Sequence, residues 1–264
     1  MLKNISVILV NPHGSRNIGM AARAMKNFDI TNLALVDPVN FKVREAHEMA
    51  CGAKDIVDAA PRFKSLGEAL ADSTCSFAFS RRMAKKRIPY YSMEEALPHI
   101  MERSGKGKIS LVFGREADGL TREELYQCDY RVYIHTSREW GSLNLAQAVL
   151  LACHEIFRSV CHCERTLVSE AISRDQLNSG DRHAPLCGAR DDTASEFFAP
   201  RDEVTVMLKD FQKLLIEIGY TGSTDEKLRK KIVQAFGEIV GRAGLRHKDV
   251  NMFLGLWSQV RKNL

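Results

Sequence analysis

Five short apolar runs limit what this chain can become: "ISVILV" from Ile5, "NLALVDP" from Asn32, "CSFAFS" from Cys75, "KISLVFG" from Lys108 and "YRVYIHT" from Tyr130. Each is followed by a turn signal or a helical pattern. Strands that alternate with helices build βαβ units and a largely parallel sheet. The runs are apolar throughout rather than alternating, as strands covered on both faces should be. A final helix of this part is predicted from the recurrence of Leu143, Ala146, Leu150, Cys153, Phe157 and Val160 at three- and four-residue steps.

From Ser169 to Pro200 the chain turns polar, loses periodicity and carries Gly and Pro breakers, which predicts a linker. Three helical patterns follow, with Gly219 closing the first and Asp225 opening the second. The predicted organisation is an α/β domain over 1–168, a linker over 169–200 and a small all-helical domain over 201–264. Some sixty residues of helix bury too little surface to stand comfortably alone. This piece is therefore expected to dock on a partner subunit or on RNA. No run of eighteen apolar residues and no secretory leader is visible, and the seven cysteines are an odd, scattered set. These features predict a cytoplasmic protein with free thiols and no membrane partner.

Ligands of open α/β sheets sit beyond the carboxyl ends of the strands, so the chemistry is sought there. After the first run, Gly14 and Gly19 have the glycine spacing of a P-loop, but Met20 and Ala21 stand where that loop needs Lys and then Ser or Thr. Nucleoside triphosphate chemistry is excluded. The same segment offers Asn17, by default a helix cap, and Arg23 among small neighbours. After the third run come Arg81, Arg82, Lys85, Lys86 and Arg87, a basic cluster placed to meet a phosphate backbone; the net charge of +5 permits such a partner. After the fourth, Gly114 and Gly119 flank Glu116, and Thr121 with Glu124 reads as a capping box. After the fifth, Gly141 precedes Ser142, the expected cap of the long helix, with Asn144 in its first turn. Cys153, His154, Cys161 and Cys163 fit no zinc spacing. On one helix Cys161 and Cys163 point about 200° apart, so no metal is expected.

Asn17 with Arg23, then "GREADGL" from Gly114, then "SLNLAQA" from Ser142, together resemble the three motifs of the SpoU (TrmH-type) RNA 2′-O-ribose methyltransferases of the SPOUT class. The helical tail "KLRKKIVQAFGEIVGRAGLRHKDVNMFLGLWSQV" resembles that of the TrmJ branch, which methylates ribose at position 32 of the tRNA anticodon loop. The resemblance implies a mostly parallel α/β sheet with a carboxyl-terminal trefoil knot, an exception to the rule against knots. It implies S-adenosylmethionine as cofactor, held largely by backbone at Phe79, Ser80, Arg81, Gly114, Ile134, Gly141, Ser142 and Leu143. It also implies a homodimer with the active site near the subunit interface, and tRNA as substrate. Relatives tend to have a small, threonine-rich first loop where this chain has Phe79 and Ser80. The family's functional residues map onto Arg23, Asn17, Glu116, Ser142 and Asn144. A base-like role is ascribed to the arginine; since arginine stays protonated, binding the phosphate beside the target and orienting the 2′-hydroxyl suits Arg23 better. Two alternatives stay open: a ribosomal RNA substrate, and an RNA-binding protein that keeps the fold without catalysis.

Overall fold

The structure, a computed structural model, describes residues 1–81, 89–137, 139, 141–177, 198–220 and 225–262. All five apolar runs are strands: β1 (Ile5–Val10), β2 (Asn32–Val36), β4 (Cys75–Phe79), β6 (Ile109–Phe113) and β7 (Tyr130–Tyr133). Two short strands at the sheet edges were not expected, β3 (Arg62–Phe63) and β5 (Tyr90–Ser92). The order is β3-β2-β1-β6-β4-β7-β5, and every ladder is parallel. Strand β7 enters between β4 and β5, the two strands joined by the basic segment. The expected knot depends on the course of residues 82–88, which lie outside the described residues.

Helices cover both faces, which is why the strands are apolar on both sides. Val7, Leu9, Phe77 and Leu111 face a core shared with α1 (Ser15–Lys26), α5 (Met93–Lys106) and α7 (Leu145–Leu177). Ile8, Val10, Ala78 and Val112, one residue out of step, face the other core with α4 (Leu66–Ala69) and α6 (Arg122–Tyr126). Helices α2 (Val43–Ala50) and α3 (Lys54–Ala59) pack beside α1. The stripe predicted on α7 is displaced: Leu145, Ala146, Val149, Ala152, Cys153 and Ile156 are buried, while Leu150 is 39% exposed. The helix starts at Leu145, two residues later than the predicted stripe, and it continues past 168 to Leu177.

The tail forms α8 (Arg201–Glu217), α9 (Glu226–Ala243) and α10 (His247–Lys262) around Met207, Leu214, Val240, Val250 and Trp257. Gly219 has a positive φ of 68°, and Asp225 caps α9 through Leu228 N–H, as its position in the sequence predicts. The bundle docks on the α/β domain of its own chain. Arg201 Nη1 donates to Asp129 Oδ2 at 2.7 Å, and that oxygen also accepts from the Ser76 N–H and hydroxyl. Arg103 Nη2 donates to the Arg242 and Ala243 carbonyls at 2.5 and 3.2 Å, closing the negative end of α9. Its guanidinium also lies 4.3 Å from the Phe198 ring centroid. These contacts cluster at the amino-terminal ends of β4 and β7.

The Asp129 side chain is 6% exposed and the Arg201 side chain 24%. Arg201→Ala should therefore leave a buried carboxylate without its cation. The expected loss is roughly 3 kcal/mol, near the low end for breaking a buried pair, because Arg201 keeps some contact with water. Urea unfolding measures it. Replacing both residues, as Asp129→Leu with Arg201→Met, should recover most of the loss; an equal or larger loss in the double variant contradicts this account.

Candidate active site

A cavity of about 450 Å³ opens at the carboxyl ends of β4, β6 and β7. All eight residues expected to hold the cofactor line it: Phe79, Ser80, Arg81, Gly114, Ile134, Gly141, Ser142 and Leu143. Phe79 stacks on Phe113 with ring centroids 4.5 Å apart, which gives the cavity an aromatic wall. The segment from Gly114 to Gly119 forms one wall. Arg115 and Gly119 exchange backbone hydrogen bonds at 3.1 and 3.0 Å, and Gly119 takes a φ of 69°, as a glycine readily does. A Cβ on Gly114 would overlap the Gly119 carbonyl and the Leu120 nitrogen. This glycine is thus required by the chain's own closure. Gly141 is likewise pressed by Thr136, Ser137 and Arg81. Sequence reasoning missed Phe113, Thr136, Leu145 and Ala148 on the wall. Phe113 ends a strand beside the glycine motif and was findable from that; the other three carry no signal.

Beside the cavity, Glu116 joins three strand ends. Its carboxylate accepts from His13 N–H (3.0 Å), Gly14 N–H (3.0 Å) and Asn17 Nδ2 (2.9 Å). The Asn17 amide oxygen in turn accepts from Asn144 Nδ2 at 3.1 Å. Partial burial opposes ionisation of Glu116, but the His13 N–H, the Asn17 amide and the Gly14 N–H outweigh it and hold its carboxyl below the usual glutamate value. A fixed negative charge therefore sits next to the pocket, with all its partners supplied by the protein.

Two expected caps are corrected. Asn17 lies inside the first turn of α1, and the N-cap is Gly14. The Gly14 N–H at the cap and the His13 N–H before it go to Glu116, and the Asn17 amide bridges Glu116 and Asn144. At α7 it is Asn144, not Ser142, that takes the cap position. Its Oδ1 accepts from Ala146 N–H at 2.9 Å and its carbonyl from Ala148 N–H at 2.9 Å. Ser142 is exposed on the cavity wall. The predicted capping box of Thr121 and Glu124 is present.

The structure does not bring Arg23 into this cavity. It is exposed on α1, with Nη1 3.6 Å from the Cys51 sulfur. Arg82, Lys85, Lys86 and Arg87 lie outside the described residues, while Arg81 stands at the cavity's rim. The P-loop-like glycine spacing has a packing origin: a Cβ on Gly19 would overlap the Ala46 carbonyl where α1 crosses α2. Among the described residues, no three His, Cys, Asp or Glu side chains converge to hold a metal. None of their helices is long and apolar enough to cross a membrane.

The parallel seven-stranded sheet with helices on both faces is that of the SPOUT methyltransferases. The SpoU rRNA Methylase family matches residues 4–154, and the chain belongs to that family. It is similar to the tRNA (cytidine/uridine/adenosine-2′-O-)-methyltransferase TrmJ of Pseudomonas aeruginosa, with 32% identity over 267 residues that cover 99% of this chain and 95% of that protein. The tRNA (cytidine/uridine-2′-O-)-methyltransferase TrmJ of Yersinia pestis is 34% identical over 264 residues, covering 99% and 93%. The crystal structure of TrmJ from Z. mobilis ZM4 superposes with a TM-score of 0.73 at 25% identity, covering 97% of this chain and 98% of that one.

Proposed function

We propose that this enzyme transfers the methyl group of S-adenosylmethionine to a ribose 2′-hydroxyl of tRNA, at cytidine or uridine 32 of the anticodon loop. The observation that carries this is the similarity to tRNA 2′-O-methyltransferases along almost the whole chain, helical tail included. The cavity fits the cofactor. Its volume is within the range of small-molecule sites, its aromatic wall suits a nucleoside base, and its main-chain groups suit polar edges. Phe79, Ser80, Arg81, Gly114, Ile134, Gly141, Ser142 and Leu143 hold it. Bound there, it supplies an already activated methyl group, so the protein's contribution is chiefly positioning.

Glu116 fixes the turn that carries Asn17, and Asn17 fixes Asn144. Together with Ser142 they order the side of the pocket that faces the ribose. Arg23 binds the phosphate next to the target and orients the 2′-hydroxyl. Because it stands outside the cavity of its own chain, it reaches the pocket of the partner subunit in a homodimer. Met20 on α1 and Leu150 and Leu151 on the adjoining α7 are 37%, 39% and 38% exposed, an apolar face suited to that contact. The basic segment from Arg81 through Arg82, Lys85 and Lys86 to Arg87 holds the RNA backbone. The helical bundle, with Lys227 and Arg246, contacts tRNA away from its own chain's pocket, since it docks at the opposite ends of the strands. Such an enzyme works in the cytoplasm, without a metal.

Mass spectrometry of nuclease-digested tRNA from cells with and without the protein tests the proposal. The 2′-O-methyl group at nucleotide 32 is expected to vanish with the protein. Loss of a methyl group from ribosomal RNA instead, with tRNA unchanged, would overturn the substrate assignment.

A further inference from the structure

Arg115 stands between two residues of the site, Gly114 and Glu116, and lines the cavity with them. Its guanidinium forms a two-pronged pair with Glu124, Nη1 and Nη2 each 3.0 Å from a carboxylate oxygen. Its Nε donates to Asn11 Oδ1 at 3.1 Å. Nη1 also lies 3.4 Å from the Gly119 carbonyl. The group is three-quarters buried, and Glu124 is more so, with side-chain exposures of 23% and 14%.

Asn11 is where β1 leaves the sheet, and it does so with a φ of 48°. Asparagine tolerates this left-handed conformation better than most side chains, yet it has to be held there. Its Nδ2 donates to the Asp37 carbonyl at 2.9 Å and to Asp37 Oδ2 at 3.1 Å, and its Oδ1 takes the Arg115 hydrogen bond. Two consecutive residues thus grip one turn at both ends. Arg115 holds Asn11 at its start, and Glu116 holds the His13 and Gly14 N–H groups where α1 begins.

We propose that Arg115 is a positioning residue for methyl transfer: through Asn11 it sets the turn that presents Asn17 to Glu116 and Asn144. This rests on the assignment of the Glu116–Asn17–Asn144 cluster to the reaction. Lysine cannot replace it, because a single ammonium cannot span both Glu124 oxygens and Asn11. The alternative is a plain ion pair that secures the start of α6. It would affect stability, or the cavity wall as a whole, without any special link to Glu116.

A double-mutant cycle on turnover separates the two. Arg115→Lys is expected to lower kcat by about 10- to 30-fold, since small misplacements of positioning groups are costly. S-adenosylmethionine affinity should stay within about threefold, because the main-chain bridge between Arg115 and Gly119 remains. Glu116→Gln alone should lower kcat strongly. Adding Arg115→Lys to it should cost less than about threefold further, because the turn is already released. The same cycle with Glu124→Gln, which keeps the acceptor of the capping box but removes the charge, should give the same pattern and stands in if the lysine variant folds poorly. Equal losses from Arg115→Lys in both backgrounds, or a loss of cofactor affinity in step with kcat, would overturn the positioning role and leave the cluster's function standing. A Glu116→Gln enzyme with unchanged turnover would overturn both.

Discussion

Arg23→Ala is expected to slow methyl transfer by about 10²- to 10³-fold, the scale on which a missing positioning or electrostatic group acts. Its affinity for S-adenosylmethionine should remain within about twofold, as for a surface change away from the binding site. The separation follows from geometry: Arg23 is exposed on α1 and does not line the cavity of its own chain. Arg23→Lys should fail nearly as badly, since a point charge does not reproduce a planar, forked donor. Single-turnover rates measured beside cofactor calorimetry give both quantities. A fully active lysine variant would show that charge alone suffices. A joint loss of cofactor binding would place Arg23 on the wrong side of the reaction.

Gly114→Val should act in the opposite sense, on binding before chemistry. A branched side chain there collides with the Gly119–Leu120 main chain and pushes out that wall of the cavity. Overpacking of this kind costs up to about 3 kcal/mol, which corresponds to roughly a hundredfold in affinity if it falls on the bound state. Calorimetry on the folded variant measures it, and the wild-type affinity should be the same with EDTA present. Unchanged affinity in the valine variant would mean that the cofactor lies elsewhere.

The strands that carry the site were legible because each is a continuous apolar run, and the residues just beyond them could then be grouped. β3 and β5 were not legible. Arg62–Phe63 is too short to show a period, and Tyr90–Ser92 follows a basic run that reads as a loop. The glycines of the cavity wall were legible as glycines, and Gly114 and Gly141 are both crowded by their own chain. Local capping rules misplaced the roles of Asn17 and Ser142. The acceptor at α1 comes from Glu116, some hundred residues away, and no local pattern announces a cap supplied by another segment. The docking of the bundle was hidden in the same way. Arg103, Asp129 and Arg201 are unremarkable charges until the fold places them at one end of the sheet.

Capping α1 from so far along the chain also sets the order in which the site is made. The loop between Gly14 and Glu116 spans 102 residues, and contacts of such separation form only after their closure entropy has been met. During synthesis, amino-terminal segments emerge and begin to fold first. Helix α1 therefore leaves the ribosome with its first turn open, and Asn17 gains its partner only when β6 and the residues after it have been made. Asn144 follows later still. The Glu116–Asn17–Asn144 cluster is a checkpoint on near-completion of the α/β domain: a chain released before residue 116 possesses the first motif but cannot set it in place.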